Sequence, residues 1–398
     1  MPTLKTTRIS PASQNTSTPS SALNPASDTP SFLVPESPSM TDTPRLIFDA
    51  HLDMAWNALE WNRDLMKPVA ELREFESQFE GIVPGDCTVS WDELRRGRVG
   101  MTISTLLPRL HRKDAALSHY QSRDAAYAIA HGQLAYYRSM TNRGVLREIT
   151  DTASLREHVA AWENDPQGDL PIGFILSMEG SPPILSPAQV AEWYEAGLKI
   201  LGPAHYGPAP YCFGTGSEGG LTADGPELLR EMEQAGILLD VTHLADQSFW
   251  EALDVYSGPV LASHHNCRSL VPGDRQLADE QIQALIDRDA VIGAVFDCWM
   301  IKPGWVIGVT QPGEVTMEHI VDHIDHICQI AGNSRHAALG TDLDGGFGKE
   351  QSPADLDTIA DLGKIGDILA ARGYSSDDID GILYKNWVDF FCRAWGEN

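Results

Sequence analysis

The chain has 398 residues, of which 42% are apolar, and it carries a formal net charge of −27. This length is enough to bury a large core, and a barrel of eight βα units commonly takes up most of it as one domain. The acidic balance argues against nucleic acid or an anionic membrane surface as a partner, because both are bound through clustered Lys and Arg.

The first 43 residues are rich in Ser, Thr, Pro and Asn. Such a segment cannot bury enough apolar surface to fold, so we predict a disordered tail over 1–43 and a folded domain over 44–398. Lys5 and Arg8, with no acidic residue before Asp28, leave a transit peptide open as an alternative. Met40 is a second candidate start, so whether residues 1–39 belong to the mature protein also stays open.

No apolar stretch approaches the roughly 20 residues of a membrane span, and the N-terminus lacks the apolar core of a secretory signal. The cysteines are scattered without a C-x-x-C pair, and a chain of this size does not need disulfides for stability. We therefore expect reduced thiols and a cytoplasmic location. The six cysteines are Cys87, Cys212, Cys267, Cys298, Cys328 and Cys392.

Short apolar runs recur along the chain with helical stretches between them, as βα units require. Eight such runs predict a closed (β/α)₈ barrel of the TIM type. The predicted strands are Leu46–Asp53, Val99–Leu107, Ile172–Glu179, Leu198–His205, Ile237–His243, Val260–His264, Ala290–Phe296 and His336–Asp342. Helices are predicted over Ala125–Tyr137, Pro226–Ala235 and Asp279–Ala284, and segment 108–171 is expected to hold more than one helix.

Side chains of metal-binding types lie at the C-terminal ends of five of these runs. Because the C-terminal ends of all barrel strands surround one site, residues far apart in sequence are expected to meet there. They are His51 and Asp53 on the first run, then Glu179, His243, His264 and Asp342. The pattern therefore predicts a fold and an active site together.

The chemistry of this set favours a metal centre over its simpler interpretations. His51 and Asp53 are two residues apart on a strand and face the same side, so they can share one cation. Alone, Glu179 would equally suit an ion pair with an arginine, and a lone histidine is more often a satisfied core residue. Two histidines and several carboxylates at equivalent strand ends make coordination the better interpretation. Such nitrogen and oxygen ligands suit Zn²⁺, with Mn²⁺, Co²⁺ or Fe²⁺ as alternatives.

Other polar residues compete for a role. Asp344 follows Asp342 by two residues and is the alternative ligand or base, although Asp342 is preferred because it ends the apolar run. His319, His323 and His326 share one helical face, but the apolar residues between them predict a barrel helix with surface or packing histidines. His265 is expected to point away from the site on the strand pleat.

Taken together, the chain resembles the membrane (renal-type) dipeptidase family, peptidase family M19, an amidohydrolase-like group of metal-dependent barrel hydrolases. The resemblance covers about residues 45–395, in family order, and departs from it at Asp297-Cys298-Trp299-Met300. The matching segments are Asp49-Ala50-His51-Leu52-Asp53, Ser177-Met178-Glu179-Gly180, Ala204-His205-Tyr206-Gly207, Leu221-Thr222-Ala223-Asp224-Gly225, Leu239-Asp240-Val241-Thr242-His243, Ala262-Ser263-His264 and Gly340-Thr341-Asp342-Leu343-Asp344-Gly345.

The resemblance implies roles for individual residues in a two-metal dipeptidase that uses a metal-bridging hydroxide. His51 and Asp53 would hold one ion, His243 and His264 the other, and Glu179 would bridge them. His205 would polarise the scissile carbonyl of the dipeptide substrate and Asp342 would be the acid/base residue. Arg275 would bind the substrate carboxylate.

Two alternatives to the dipeptidase stay open, and the oligomeric state is undecided, with a homodimer as one arrangement. The first alternative is a related binuclear hydrolase acting on a lactone, cyclic amide, N-acyl amino acid or phosphoester, since fold and metals do not fix substrate. The second is a non-catalytic binding protein that keeps the barrel. Arg275 favours the dipeptidase, because a carboxylate anchor is pointless for a neutral lactone.

Overall fold

The computed structural model describes residues 44–79, 85–110, 120–165, 169–311, 313 and 315–396. The predicted tail over 1–43 lies outside these ranges. The strands are β1 (Ile47–Leu52), β2 (Val99–Leu106), β3 (Leu146–Glu148), β4 (Ile172–Glu179), β5 (Ile200–Gly202), β6 (Leu238–Asp240), β7 (Val260–Leu261), β8 (Ile292–Ala294) and β9 (Ala337–Leu339).

Every strand pairing in the described sheet is parallel, and the order is β7-β6-β5-β4-β2-β1-β9-β8, with β3 added beside β4. Beyond the ends of β7 and β8 the sheet closes through Ala262, whose N–H donates to the Val291 carbonyl at 3.1 Å and whose carbonyl accepts from Gly293 at 2.9 Å. The eight strands apart from β3 therefore form a barrel, and the predicted TIM-type fold is confirmed.

Helices occupy the connections and cover the outside of the barrel. They are α1 (Met54–Glu60), α2 (Val69–Glu76), α3 (Trp91–Arg96), α4 (Arg123–Asn142), α5 (Thr152–Asn164), α6 (Val190–Glu195), α7 (Gly225–Ala235), α8 (Asp246–Val255), α9 (Asp279–Asp287), α10 (Met317–Ala331), α11 (Lys364–Ala371), α12 (Ser376–Asp380) and α13 (Asn386–Trp395). Shorter turns of 3₁₀ or π type lie at Pro187–Gln189, Cys298–Met300, Lys349–Gln351, Ile359–Gly363 and Gly381–Lys385. None of the helices in the described part of the chain has both the length and the apolarity needed to cross a bilayer.

Local sequence explains where these helices begin and end. The Ser122 side chain accepts from the Ala125 N–H and caps α4, and Asp151 does the same for α5 through Ser154. α7 has Pro226 in its first turn and is capped at its C-terminus by Gly236, whose φ of +82° suits a residue without a side chain. The predicted helices over Pro226–Ala235 and Asp279–Ala284 are α7 and α9.

The core consists of strands that are buried on both faces, packed between the barrel interior and the surrounding helices. All residues of β1, β2 and β4 are buried, as expected for parallel strands covered on both sides. Gly293 and Gly340 face the Ser263 carbonyl so closely that a Cβ at either would lie about 2 Å from its oxygen. These two glycines let the last strands approach the segment that carries His264.

The predicted strands were right in number and order for the barrel but too long. Leu198–His205 shortens to β5, Ile237–His243 to β6 and Val260–His264 to β7, because the backbone leaves the sheet before the polar residue. Segment 108–171 holds α4 and α5, as expected, and also β3, which was missed.

Candidate active site

The predicted residues at strand ends lie at one end of the barrel, close to or just beyond the C-terminal ends of their strands. His51 is in β1, Asp53 follows it, and Glu179 is the last residue of β4. Each of the other four comes three residues after the end of its strand. They are His205 after β5, His243 after β6, His264 after β7 and Asp342 after β9.

Glu179 lies between the histidines. Its Oε1 is 3.1 Å from His243 Nε2 and 3.4 Å from His264 Nε2, whereas its Oε2 is 3.5 Å from His51 Nε2. The two histidines that share Oε1 have their Nε2 atoms 3.3 Å apart. One carboxylate therefore presents its two oxygens to two different groups of nitrogen atoms.

The second side of the cluster consists of carboxylates around His51. Its Nε2 lies 3.8 Å from Asp53 Oδ2 and 3.7 Å from Asp342 Oδ1. His51, Asp53 and Asp342 form one of three sets in the described chain whose ligand atoms are close enough to hold one ion. The other two are His51 with Glu179 and His264, and Glu179 with His205 and His243.

Two of the site residues have an unusual backbone conformation. His243 has φ +67° and Asp342 has φ +59°, in the left-handed region that residues with a side chain seldom adopt. The conformation of His243 is stabilised by Thr215, whose backbone N–H donates to the His243 carbonyl at 2.8 Å. That of Asp342 is stabilised by its own backbone N–H, which donates to the His51 carbonyl at 3.2 Å. Strain of this kind is often found at functional sites, where it aims a side chain.

Hydrogen bonds from a surrounding layer fix the orientation of the rings. His264 Nδ1 pairs with the Ser263 hydroxyl at 2.8 Å, and His243 Nδ1 pairs with the Thr215 hydroxyl at 3.1 Å. Both contacts leave Nε2 turned toward Glu179, which is the arrangement expected for histidines that bind a metal. The Thr105 hydroxyl donates to Asp53 Oδ1.

Burial and charge set the protonation of these groups. Burial lowers the pKa of His243 and His264 well below the ordinary value, which keeps their nitrogens neutral and able to donate a lone pair. Burial also lowers the pKa of His51, but the carboxylates of Glu179 and Asp53 outweigh it and raise that pKa well above its ordinary value. The cluster of acids therefore favours a positive charge next to His51 Nε2, which a bound metal ion would supply in place of a proton.

A metal ion fits this donor set. His51 Nε2 is buried and has no hydrogen-bond partner among the described residues, although three carboxylates surround it. Nitrogens of three histidines and carboxylate oxygens are the ligands that Zn²⁺ and similar ions use in proteins. An ion at this point would satisfy the orphaned nitrogen and offset the clustered negative charge.

His205 and Arg275 flank the cluster. His205 Nε2 is 4.0 Å from Glu179 Oε1, and its side chain is 20% exposed, facing a cavity of about 190 Å³. Arg275 is only 1% exposed, and its Nη2 donates to the His264 carbonyl at 3.1 Å. Its Nε and Nη1 are buried without partners among the described residues. A buried guanidinium with unsatisfied donors is suited to bind a carboxylate.

Comparison with known proteins identifies the family. The model of the membrane dipeptidase family, peptidase family M19, matches residues 40–397. The chain belongs to this family. The predicted resemblance is thereby confirmed, as is the assignment to a class of metal-dependent hydrolases, and the His/Glu/Asp cluster is where a metal could bind.

Individual proteins and solved structures are similar to this chain. An uncharacterized protein in the pqqA 5′ region of Klebsiella pneumoniae is 29% identical over 51% of this chain and 74% of its own length. Dipeptidase tcpJ of Claviceps purpurea is 29% identical over 42% of this chain, but the match covers only 37% of that protein. A solved metallopeptidase of Rhodobacter sphaeroides, bound to a phosphinate mimic of L-Ala-D-Ala, has a TM-score of 0.72 at 20% identity, covering 88% of this chain and 100% of that one.

Asp344, the alternative to Asp342, forms hydrogen bonds and an ion pair outside the cluster. Its carboxylate accepts from the N–H groups of Thr88 at 2.8 Å and Val89 at 3.0 Å, and it lies 3.2 Å from Arg63 Nη1. The side chain therefore anchors segment 86–90 beneath the site. Asp342, with its Oδ1 near His51, is the residue whose geometry suits a ligand or acid/base role.

The histidines of α10 are packing and surface residues, as predicted. His323 is buried, and its Nδ1 accepts from the Cys267 N–H at 3.1 Å, whereas His326 Nε2 lies 2.8 Å from Asp279 Oδ1 at the surface. His265 is buried, and its backbone N–H donates to the Gly293 carbonyl at 2.7 Å. It belongs to none of the three clusters that could hold an ion in the described chain.

Sequence reasoning missed three residues around the cluster. Tyr206 packs edge-on against His205 and His243, with ring centroids 4.8 and 5.0 Å apart. Asp297 lies three residues after β8, the offset shared by the other strand-end residues, and accepts from Gln351 Nε2 at 2.7 Å. Arg109 lines the same cavity as His205. Asp297 directly follows the predicted strand Ala290–Phe296, and this position could have indicated it, but no local pattern indicates Arg109.

Proposed function

We propose that this family member is a binuclear metal-dependent dipeptidase. The observation that carries the proposal is the position of Glu179, whose Oε1 faces His243 and His264 while its Oε2 faces His51. A carboxylate placed in this way is suited to bridge two cations. The match to the membrane dipeptidase family supports the peptide bond of a dipeptide as the bond that is cleaved.

In this proposal, His51 and Asp53 hold one ion, His243 and His264 hold the second, and Glu179 binds both. Zn²⁺ is the proposed native ion, because neutral imidazoles and carboxylates together match its ligand preference. Bound divalent ions would supply a water of lowered pKa and polarise a carbonyl oxygen. The remaining work of catalysis falls to side chains of the chain itself.

His205 and Asp342 are the proposed catalytic residues. The His205 side chain faces the cavity and is placed to donate a hydrogen bond to the carbonyl oxygen of the scissile bond. Asp342 Oδ1 lies inside the cluster, and burial together with the charges of Asp53 and Glu179 raises the pKa of its carboxyl well above the ordinary value. In its ionised form this carboxylate can take a proton from the attacking water, and a raised pKa favours keeping that proton until it is returned to the departing amine.

Arg275 is the proposed anchor for the free carboxylate of the substrate. Its unsatisfied donors could form charge-assisted hydrogen bonds to that carboxylate, which would restrict cleavage to very short peptides. This feature favours a dipeptide over a lactone or a phosphoester, since neither of these presents a carboxylate.

A substrate panel tests the proposal. The protein, reconstituted with Zn²⁺, is offered dipeptides with L- and D-residues at the C-terminal position, tripeptides, N-acyl amino acids, a lactone and a phosphotriester. We expect hydrolysis of dipeptides that is lost in chelator and restored by metal. Turnover of the lactone or phosphotriester at higher kcat/KM than any dipeptide would contradict the assignment.

The six cysteines also bear on location. None of them forms a disulfide within the described part of the chain, and all but Cys328 are buried. We propose a reducing, cytoplasmic compartment on this basis. Recovery of the native protein from cells with a disulfide among these cysteines would contradict it.

A further inference from the structure

A cavity of about 190 Å³ lies beside the candidate metal cluster. Glu179 and His205 form part of its wall, so a molecule in it would touch the proposed catalytic centre. Pro108, Arg109 and Leu110, which follow β2, form another part. The remaining wall contains Pro182, Pro208 and Ala209, which are uncharged.

Arg109 is a cation in this wall that has no part in the proposed mechanism. Its guanidinium lies over the ring of Trp56, 4.5 Å from the ring centroid. Its Nε is buried and meets no acceptor among the described residues. The nearby acid, Glu60, accepts from the Tyr120 hydroxyl at 2.8 Å. The charge of Arg109 acts to lower the Glu60 pKa, but the two groups form no direct ion pair within the described part of the chain.

The position of Arg109 differs from that of Arg275. Arg275 follows β7 and is buried against the His264 carbonyl, whereas Arg109 follows β2 and lines the open cavity. A dipeptide has one main-chain carboxylate, for which Arg275 is the proposed partner. Arg109 makes no ion pair among the described residues, so its guanidinium is available to bind a second carboxylate that the substrate brings.

We propose that Arg109 is a specificity-determining residue that selects dipeptides with an acidic side chain, Asp or Glu. The inference rests on the proposed dipeptidase function and names its substrate class. Packing on Trp56 alone is the competing structural role for Arg109. The two roles differ in one respect, because packing cannot distinguish a carboxylate from the isosteric amide in a substrate.

Isosteric substrate pairs test this difference. We would measure kcat/KM for Ala-Glu against Ala-Gln and for Glu-Ala against Gln-Ala, with the C-terminal residue in both configurations. In the wild-type protein we expect the acid to exceed the amide about ten-fold or more in at least one pair, the effect of one charge-assisted hydrogen bond. The preference should shrink at high salt, since the guanidinium is partly exposed.

Three variants complete the experiment. Arg109→Gln, which keeps an aliphatic stem over Trp56, should bring the acid-to-amide ratio close to one, mainly by loss of activity on the acid. Arg109→Lys should keep part of the preference, because it retains the charge without the bidentate fork. Arg96→Gln, on an exposed arginine of α3, is the matched control and should leave the ratio at its wild-type value.

The outcomes separate this inference from the function on which it rests. Hydrolysis of Ala-Ala with acid-to-amide ratios near one in the wild type would overturn the role of Arg109 and leave the dipeptidase intact. Equal losses on acid and amide in Arg109→Gln would assign Arg109 to packing. If Arg109→Gln does not fold, the wild-type ratio and its decrease in Arg109→Lys decide the question. Failure to hydrolyse any dipeptide with metal bound would overturn both proposals.

Discussion

The Asp49 carboxylate accepts two hydrogen bonds from Thr341, one from its N–H at 2.8 Å and one from its hydroxyl at 2.6 Å. Asp49 Oδ1 also accepts from the His51 N–H at 3.2 Å. Burial raises the pKa of Asp49 to about 6, against the opposing effect of the Thr341 bonds. This one carboxylate therefore ties β1, which carries His51, to the segment that carries Asp342.

Replacing Thr341 tests this connection. Thr341→Val removes the hydroxyl donor with little change of shape, so Asp49 loses a buried partner, which should cost about 1–3 kcal/mol of unfolding free energy. Because Asp342 is the next residue, we expect kcat to fall as well, by about ten-fold. Thr341→Ser keeps the hydroxyl and serves as the control. Equal kcat and urea midpoint in the valine and serine variants would show that the bond does not position the site.

Substitutions of Asp342 and Asp344 are expected to have different effects, the first on catalysis and the second on stability. Asp342→Asn should depress kcat by two or more orders of magnitude, the typical contribution of acid/base catalysis, with little effect on unfolding. Asp344→Asn should instead destabilise the fold by about 3 kcal/mol, since it weakens a buried charge pair with Arg63. Kinetics and urea unfolding of both variants provide the comparison. A catalytic defect without destabilisation in Asp344→Asn would reverse the assignment.

Arg275 should affect substrate binding without affecting metal content. In Arg275→Ala we expect kcat/KM for free dipeptides to fall about thirty-fold or more, the effect of losing a buried charge-assisted pair. Amidated dipeptides should already be poor substrates of the wild type. Arg275→Lys tests whether the bidentate fork is needed. Equal cleavage of free and amidated dipeptides by wild type and Arg275→Ala would show that the carboxylate is not recognised.

The buried His323 is expected to make the native state less stable in acid. Its Nδ1 accepts from the Cys267 N–H, and burial lowers its pKa to about 4, below the ordinary 6.5. As pH falls from 6.5 to 4, His323 therefore becomes protonated in the unfolded chain but stays neutral in the native state. This group alone should remove about 3 kcal/mol of stability over that range, and all of its contribution is present above pH 6.5.

Thermal unfolding followed between pH 7 and 4 measures this effect. His323→Gln should lower stability at neutral pH but flatten its decline in acid. His326→Gln, on the same helix but partly exposed, is the control and should leave the slope unchanged. The same slope in all three proteins would contradict the role of His323. His158, whose pKa burial also lowers to about 4, adds a decline of the same sign.

The barrel was predictable because each buried strand is a short apolar run followed by a helix. Its strand ends were not predictable. His243 and Asp342 turn the chain into the left-handed region. Their residue types tolerate that conformation, but the tertiary hydrogen bonds that impose it cannot be read from the sequence. β3 was missed because Leu146-Arg147-Glu148 is too short and polar to stand out from a loop.

The meeting of the metal-binding side chains at one site was also predictable, because parallel barrel strands bring their C-terminal ends together. Arg109 was not, because an arginine after a proline in a loop resembles any solvated residue until the wall of the cavity forms. The roles of Asp342 and Asp344 could not be separated by sequence either. Only the packing of segment 86–90 against Asp344 distinguishes them.

Metal stoichiometry tests the bridging role of Glu179 most directly. Elemental analysis of the reconstituted wild type should give close to two divalent ions per chain, whereas Glu179→Gln should lose both, because both share its carboxylate. Glu192→Gln, on an exposed glutamate of α6, should retain the wild-type content. A wild-type protein without stoichiometric metal that stays active in chelator, or full metal content in Glu179→Gln, would contradict the two-metal centre.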